Sequence, residues 1–133
     1  MTILLSGEAT GGAFALFDEL TDPGGGPPLH VHARDHEAFY ILEGRFAFQV
    51  GDETRTVGPG DYLVAPPGIP HTFRNLDSTP ARKLVLAWPA GVDQFFLEVG
   101  QPLDQAPLPD APPDAEAVSQ FVAAAARYGI TIL

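Results

Sequence analysis

The chain has 133 residues, of which 17 are acidic and 7 basic, and its formal net charge is -10 at pH 7. The length predicts one domain with its own core, and the acidic excess argues against polyanionic partners such as nucleic acid or an anionic membrane surface. The chain has no cysteine, which excludes a disulfide framework and any thiolate metal site.

The N-terminal residues lack the features of a targeting segment. They carry no positively charged region ahead of an apolar stretch, and that stretch is only Ile3, Leu4 and Leu5. No apolar run approaches the roughly 20 residues that a bilayer-spanning helix needs. We therefore expect a cytoplasmic protein.

Eight segments have the alternating or apolar pattern of β-strands. They are residues 13–20, 29–32, 37–42, 46–50, 54–57, 62–65, 71–74 and 82–88. Glycines at 44, 51, 58, 60 and 68 fall where the chain has to reverse, because glycine reaches positive φ at no steric cost. Short strands separated by such turn signals predict an all-β sandwich or barrel.

The composition changes after residue 90, so we divide the chain into a barrel domain, residues 1–90, and a C-terminal extension, residues 91–133. Residues 91–100 have helical spacing of their apolar side chains, with Asp93 as the possible N-cap. Residues 101–114 carry five prolines and predict a linker.

A second helix is predicted over residues 115–128, capped by Asp114 and stopped by Gly129. Its apolar side chains share one face and need a surface to pack on; they are Val118, Phe121, Val122, Ala125 and Tyr128. The last residues are also apolar, which suggests that they dock on the barrel or on a second subunit.

Four side chains could surround one metal ion. The two-residue period of a strand turns His30 and His32 to the same face, while Glu37 comes from the next strand and His71 from elsewhere in the sheet. Three imidazole nitrogens and one carboxylate suit Zn, Fe, Mn, Ni, Co or Cu. The alternative is a polar cluster in a barrel without a metal, which would leave these groups desolvated and without partners.

The residues around these four side chains fill two known motifs. The first motif, G-x5-H-x-H-x3/4-E-x6-G, is matched by Gly24, His30, His32, Glu37 and Gly44. The second, G-x5-P-x-G-x2-H-x3-N, is matched by Gly60, Pro66, Gly68, His71 and Asn75. The chain thus resembles the cupin superfamily. Its HxHxxxxEAFYxLEG run and its acidic, proline-containing extension are similar to those of the small single-domain, quercetin-dioxygenase-like group.

The resemblance implies a small double-stranded β-helix, or jelly-roll, barrel with a C-terminal helical extension. It also implies one divalent transition metal, Fe, Mn, Ni or Zn, held by His30, His32, Glu37 and His71, and a homodimer. The implied activity is O2-dependent oxidation or cleavage of a small enol-containing or aromatic substrate. A non-redox cyclase, isomerase or lyase is one alternative, and a non-catalytic small-molecule binding module is another.

Glu37 is the motif residue placed to act as a catalytic base if it loosens from the metal when substrate binds. Phe39, Phe46, Phe48 and Phe73 could line an apolar substrate pocket, or they could simply be barrel core.

Two further aromatic side chains have no assigned role. We expect His36 to be a solvent-exposed loop residue, although it could also support the ligands or replace one of them. Trp88 could cover a cavity mouth or merely pack there.

Overall fold

Ten β-strands and two α-helices make up the part of the chain that the computed structural model describes, residues 1–100 and 114–133. The strands are β1 (Thr2–Leu5), β2 (Ala15–Thr21), β3 (His30–His32), β4 (His36–Glu43), β5 (Phe46–Val50), β6 (Glu53–Val57), β7 (Tyr62–Ala65), β8 (His71–Asn75), β9 (Ala81–Trp88) and β10 (Ile130–Ile132). The helices are α1 (Val92–Val99) and α2 (Ala115–Arg127).

The strands form two antiparallel sheets of five. The first sheet has the order β1-β2-β9-β4-β7 and the second β10-β3-β8-β5-β6. Side chains alternate between the core and the outside, as strand geometry requires, so Phe39 and Ile41 of β4 are buried while Tyr40 is exposed. This architecture is the predicted jelly-roll barrel, and each predicted strand is present within a residue or two at its ends.

Strand β1 was not predicted from the sequence. It pairs with β2 at the edge of the first sheet, and three of its four residues are exposed. A short edge strand that buries little has no alternation of apolar and polar residues, so periodicity could not identify it.

Phe39, Phe46, Phe48 and Phe73 form one aromatic cluster inside the barrel, and all four are buried. The ring centroids of Phe39 and Phe48 lie 4.9 Å apart, and those of Phe48 and Phe73 5.2 Å apart. Such tilted contacts between large rings stabilise a core beyond their buried area.

Gly44 shows why the chain needs glycine at a motif turn. Its φ is 85°, a conformation that other residues rarely adopt. A Cβ atom there would also lie 2.5 Å from Cβ of Ala81, so any side chain would clash with the start of β9.

The C-terminal helices pack on the barrel and on each other. In α1, Phe96 contacts Phe17 of the barrel with ring centroids 5.3 Å apart, while Phe95 contacts Phe121 of α2 at 5.6 Å. The predicted cap of α2 is present, since Asp114 Oδ1 accepts a hydrogen bond of 2.7 Å from the amide of Ala117.

The predicted cap of α1 is wrong. The N-cap residue is Gly91, and the carboxylate of Asp93 instead accepts hydrogen bonds from the amides of Gly91 (3.0 Å) and Gly7 (2.9 Å). Asp93 is buried because it ties the N-terminal segment to the helix, a long-range role that local sequence cannot indicate.

Strand β10 pairs with β3 of the same chain, in the register Ile130 to His32 and Ile132 to His30. The apolar chain end therefore docks on the barrel, which was one of the two predicted surfaces. The boundary at residue 90 stays a prediction, although the last strand completes a barrel sheet. The predicted linker, residues 101–114, lies almost wholly outside the described residues.

Within residues 1–100 and 114–133, neither helix has the length and apolar character needed to cross a membrane. The cytoplasmic location stays a prediction.

Candidate metal centre

The four predicted ligands come together at one end of the barrel interior. His30 and His32 lie on β3 and His71 opens β8, so all three histidines belong to the second sheet, with His30 directly opposite His71. Glu37 lies on β4 in the first sheet. The cluster therefore bridges the two sheets.

One nitrogen or oxygen atom from each of these residues lies within 4.8 Å of the others. Oε2 of Glu37 is 2.8 Å from Nε2 of His71 and 3.3 Å from Nε2 of His32. Two donors bound to one ion at about 2.1 Å and near right angles are themselves about 3 Å apart. The spacing of these donor atoms thus fits a shared transition-metal ion.

The other ring nitrogen of each histidine already faces an acceptor. Nδ1 of His30 lies 2.8 Å from the carbonyl oxygen of Pro28. Nδ1 of His32 lies 3.2 Å from Oδ2 of Asp35, and Nδ1 of His71 lies 3.2 Å from the carbonyl oxygen of Ile69. A carbonyl or carboxylate oxygen can only accept, so each Nδ1 carries the proton. Each Nε2 then presents its lone pair to the cluster, which is how metal-binding histidines are oriented.

Protonation at Nδ1 creates a conflict that a cation resolves. A neutral imidazole has a single N–H, yet His32 and His71 each place both nitrogens against an acceptor, with Glu37 at the Nε2 side. Both rings would have to be protonated to satisfy every contact. A divalent ion between the Nε2 atoms and Glu37 satisfies the same atoms with neutral rings.

Burial and the neighbouring charges shift the pKa values of the cluster. Burial, helped by the nearby His71, lowers the pKa of His30 to about 4. Burial also acts to lower the pKa of His32, but the hydrogen bond to Asp35 and the charge of Glu37 outweigh it and raise that pKa. Burial acts to raise the pKa of Glu37, yet the hydrogen bond with His71 and the surrounding imidazoles lower it. The neighbouring imidazoles thus favour the carboxylate form of Glu37, the form in which a carboxyl group can bind a metal.

A cavity of about 120 Å³ adjoins the cluster. All four candidate ligands line it, and most of the remaining lining is apolar. Phe39 and Phe73 line this cavity, whereas Phe46 and Phe48 of the same aromatic cluster do not, and their role as a substrate pocket stays a prediction. The C-terminal extension supplies Val92, Phe95, Phe96, Phe121, Ile130 and Ile132, a contribution that barrel motifs could not indicate.

His36 differs from its expected position in an exposed loop. It is the first residue of β4 and only half-buried, and its ring stacks on that of Trp88 with centroids 5.0 Å apart and planes 9° apart. It is not among the clustered donors, and neither residue lines the cavity. Strand pairing places His36 opposite Trp88, which explains the stack.

Three polar residues of the barrel interior were not predicted from the sequence: Asp35, Lys83 and Glu19. Asp35 is buried and contacts the ring of His32. The sequence feature that could have indicated this contact is a carboxylate three residues after a candidate histidine ligand. Lys83 is fully buried and contacts Glu19, which lines the cavity. Its signal was a lysine at a core position of the alternating strand β9.

The jelly-roll barrel and the histidine-rich cluster inside it, which could hold a metal ion, are together typical of cupins. Residues 18–87, more than half of the chain, match the Cupin_2 family, described as a cupin domain. The chain belongs to this family.

The relatives agree with that assignment. The chain is 29% identical over 132 residues to quercetin 2,3-dioxygenase of Bacillus subtilis, a match that covers 99% of this chain and 39% of the relative. The structure of KdgF from Halomonas sp. is similar with a TM-score of 0.63 and 24% identity, covering 70% of this chain and 80% of that one. A sugar phosphate isomerase of the cupin superfamily from Silicibacter pomeroyi has a TM-score of 0.56 and 27% identity, covering 64% of this chain and 57% of that one.

The chain spans between two fifths and one half of the length of the curated relatives that it matches. The activity named for the Bacillus subtilis relative is that of a longer protein.

Proposed function

We propose that this cupin is a metal-dependent enzyme that oxidises a small enol-containing or aromatic substrate with O2. The observation that carries the proposal is the cluster of His30, His32, Glu37 and His71 at one end of an apolar cavity. Four protein donors on a six-coordinate ion leave two positions for substrate or dioxygen. The similarity to quercetin 2,3-dioxygenase supports the same class of reaction.

The size of the cavity narrows the substrate class. About 120 Å³ is below the roughly 300 to 1,000 Å³ of sites for drug-sized ligands. A compound with a single ring, such as a catechol or a β-diketone with one aromatic substituent, therefore fits this cavity better than a flavonol, which has two separate ring systems.

The chain's own residues have three tasks in this proposal. His30, His32 and His71 hold the ion through Nε2, and the ion when bound supplies Lewis acidity and, if redox-active, electrons. Glu37 accepts the proton of the substrate's enol or phenol at its carboxylate. Phe39 and Phe73 exclude water and contact the apolar part of the substrate.

Metal analysis and oxygen uptake test the proposal together. The protein is purified without chelator or metal-affinity resin, its metal content is determined, and O2 uptake is followed across β-diketones, catechols and flavonols. We expect uptake with a diketone or catechol in the Fe, Mn or Ni form and none in the Zn form. Absence of uptake with every metal and every compound would contradict an oxidative function.

A non-redox isomerase is the second candidate, because the similarity to a cupin sugar phosphate isomerase is comparable at 27% identity. The cavity argues against a phosphorylated sugar: none of the lining residues that the structure describes is an arginine or a lysine, and a phosphate needs such partners. An isomerase of this chain would act on an apolar keto–enol pair, and its product would form equally well without O2.

A homodimer is the assembly that we propose. The outer face of the first sheet exposes Tyr40 (46%), Tyr62 (72%) and Val64 (46%) side by side. A contiguous apolar patch of this kind marks an interaction surface. The three side chains of this patch are uncharged, so two copies of a chain with charge -10 can pack there without bringing acidic groups together.

A further inference from the structure

A buried ion pair lies inside the barrel, away from the metal cluster. Nζ of Lys83 is 3.2 Å from Oε2 of Glu19 and 3.1 Å from the hydroxyl of Thr21. The ammonium also lies 3.6 Å from the ring centroid of Phe73. Lys83 is fully buried, and the Glu19 side chain keeps 20% of its surface exposed.

The exposed part of Glu19 faces the cavity. Glu19 is the one lining residue outside the metal cluster, among those the structure describes, that carries a polar side chain. Its contact with Lys83 is made by Oε2, which leaves the other carboxylate oxygen, Oε1, outside the ion pair. Oε1 is therefore available to accept a hydrogen bond from a ligand.

Stability does not explain this pair. Removing two charges from water is costly, and replacing a buried ion pair by apolar residues of similar size is often neutral or stabilising. Lys83 holds Glu19 at a fixed position in an otherwise apolar wall, an arrangement that suits the recognition of a polar group.

Strand register gives the backbone separation between Glu19 and Glu37. Glu19 lies opposite Lys83, and Glu37 lies opposite Ala87, four residues further along β9. At about 3.3 Å per residue the two backbones are about 13 Å apart along the strand direction. Both side chains line the same cavity, so a ligand that contacts the two ends is of the order of one ring with a substituent at each end.

We propose that Glu19 determines specificity: it accepts a hydrogen bond from a hydroxyl group at the end of the substrate remote from the metal. The substrate class is then a single aromatic ring with an enol or diketone at one end and a hydroxyl at the other. This inference rests on the proposed function, because the metal end of the same cavity holds the enol. Lys83 acts through Glu19 as a positioning residue.

Two probes that differ by one hydroxyl test the inference: benzoylacetone and para-hydroxybenzoylacetone. Their binding to Zn-loaded protein, in which no oxidation occurs, is measured by calorimetry. We expect wild-type protein to bind the hydroxylated probe at least about tenfold more tightly, since a site that binds a hydroxyl rejects the analogue without it. Glu19→Met/Lys83→Met removes both charges together, and we expect it to bind the two probes about equally.

Glu19→Gln is the second variant, in case the double replacement does not fold. It keeps the shape but loses the charge, and its preference for the hydroxylated probe should fall about fivefold. Glu53→Gln makes the same change on the exposed strand β6 and should keep the wild-type preference.

The outcomes separate the two proposals. The role of Glu19 is overturned, and the proposed function is left standing, by either of two results. One is metal-dependent binding of both probes with equal affinity in wild-type protein; the other is an undiminished preference for the hydroxylated probe in both Glu19 variants. If neither probe binds in the metal-loaded form, the enol-binding function and the inference are overturned together.

Discussion

Nδ1 of His32 lies 3.2 Å from Oδ2 of Asp35, and both side chains are buried. The carboxylate fixes the ring orientation and keeps the proton on Nδ1, so that Nε2 is free for a metal. Glu37 on the other side completes a line of carboxylate, imidazole and carboxylate across the barrel.

Asp35→Asn should lower metal affinity by about 10- to 100-fold, because the amide can also present its NH2 group and no longer fixes the imidazole tautomer. Affinity is measured by competition with a chromophoric chelator. Asp52→Asn, an exposed substitution in the β5–β6 turn, is the matched control and should leave affinity unchanged. Equal affinities of wild type and Asp35→Asn would show that Asp35 does not orient His32.

His71→Ala should cut metal occupancy sharply, because it removes one of four donors from the cluster. Elemental analysis of protein purified without chelator gives the occupancy. His36→Ala is the control, since His36 stacks on Trp88 outside the cluster, and it should retain the metal. Full occupancy in His71→Ala would remove this histidine from the ligand set.

Glu37→Gln should lower turnover by roughly 10² to 10⁴ while part of the metal is retained, because glutamine keeps an oxygen donor but loses the basicity. Turnover is measured by O2 uptake with the best substrate of the panel, at saturating metal. If excess metal restores the wild-type rate, Glu37 is a ligand only and another group accepts the proton.

The metal-free protein should lose stability as the pH falls from 6.5 to 4. His30 has a pKa of about 4 in the folded chain against an ordinary value of 6.5, so in this window the unfolded chain binds a proton that the folded chain does not. The free energy of unfolding should decrease by roughly 1 to 3 kcal/mol from this residue.

Urea unfolding in the presence of chelator, at a series of pH values, measures this decrease. The raised pKa of His32 acts above pH 6.5, whereas the lowered pKa of Glu37 also costs stability near the acid end of this window. The comparison is therefore made with His30→Gln, which should show a smaller loss between pH 6.5 and 4. Identical pH dependence in the two proteins would contradict the assignment to His30.

Tyr62→Glu should weaken the proposed dimer, since it places a charge in the apolar patch, where Tyr62 is 72% exposed. Light scattering over a range of concentrations gives the mass. Glu53→Gln, on the other sheet, is the control and should leave the mass unchanged. A wild-type mass of one chain at all concentrations would reject the dimer.

The cluster could be predicted because strand geometry alone turns His30 and His32 to one side, and because the two motifs contain both Glu37 and His71. Asp35 could not be predicted in the same way, since a carboxylate in a turn is usually solvated and only the fold shows it buried against His32.

The part of the cavity wall that the two helices form could not be predicted from the sequence either. Helical spacing indicated that Phe95 and Phe96 belong to a helix, but not where that helix packs. In the structure Phe96 contacts Phe17, Phe95 contacts Phe121, and both rings line the cavity. Lys83 was not predicted, because a lysine is rarely buried and only the fold shows that its face of β9 is the barrel interior.

Strand β3, which carries two of the clustered histidines, is hydrogen-bonded along one edge to β10. A ribosome synthesises Ile132 about a hundred residues after His30, and closing so long a loop is slow. The strand that carries His30 and His32 thus gains its second neighbour only after residues 130–132 have been synthesised. Completion of the candidate metal centre is accordingly a later event in biosynthesis than synthesis of the four clustered residues themselves.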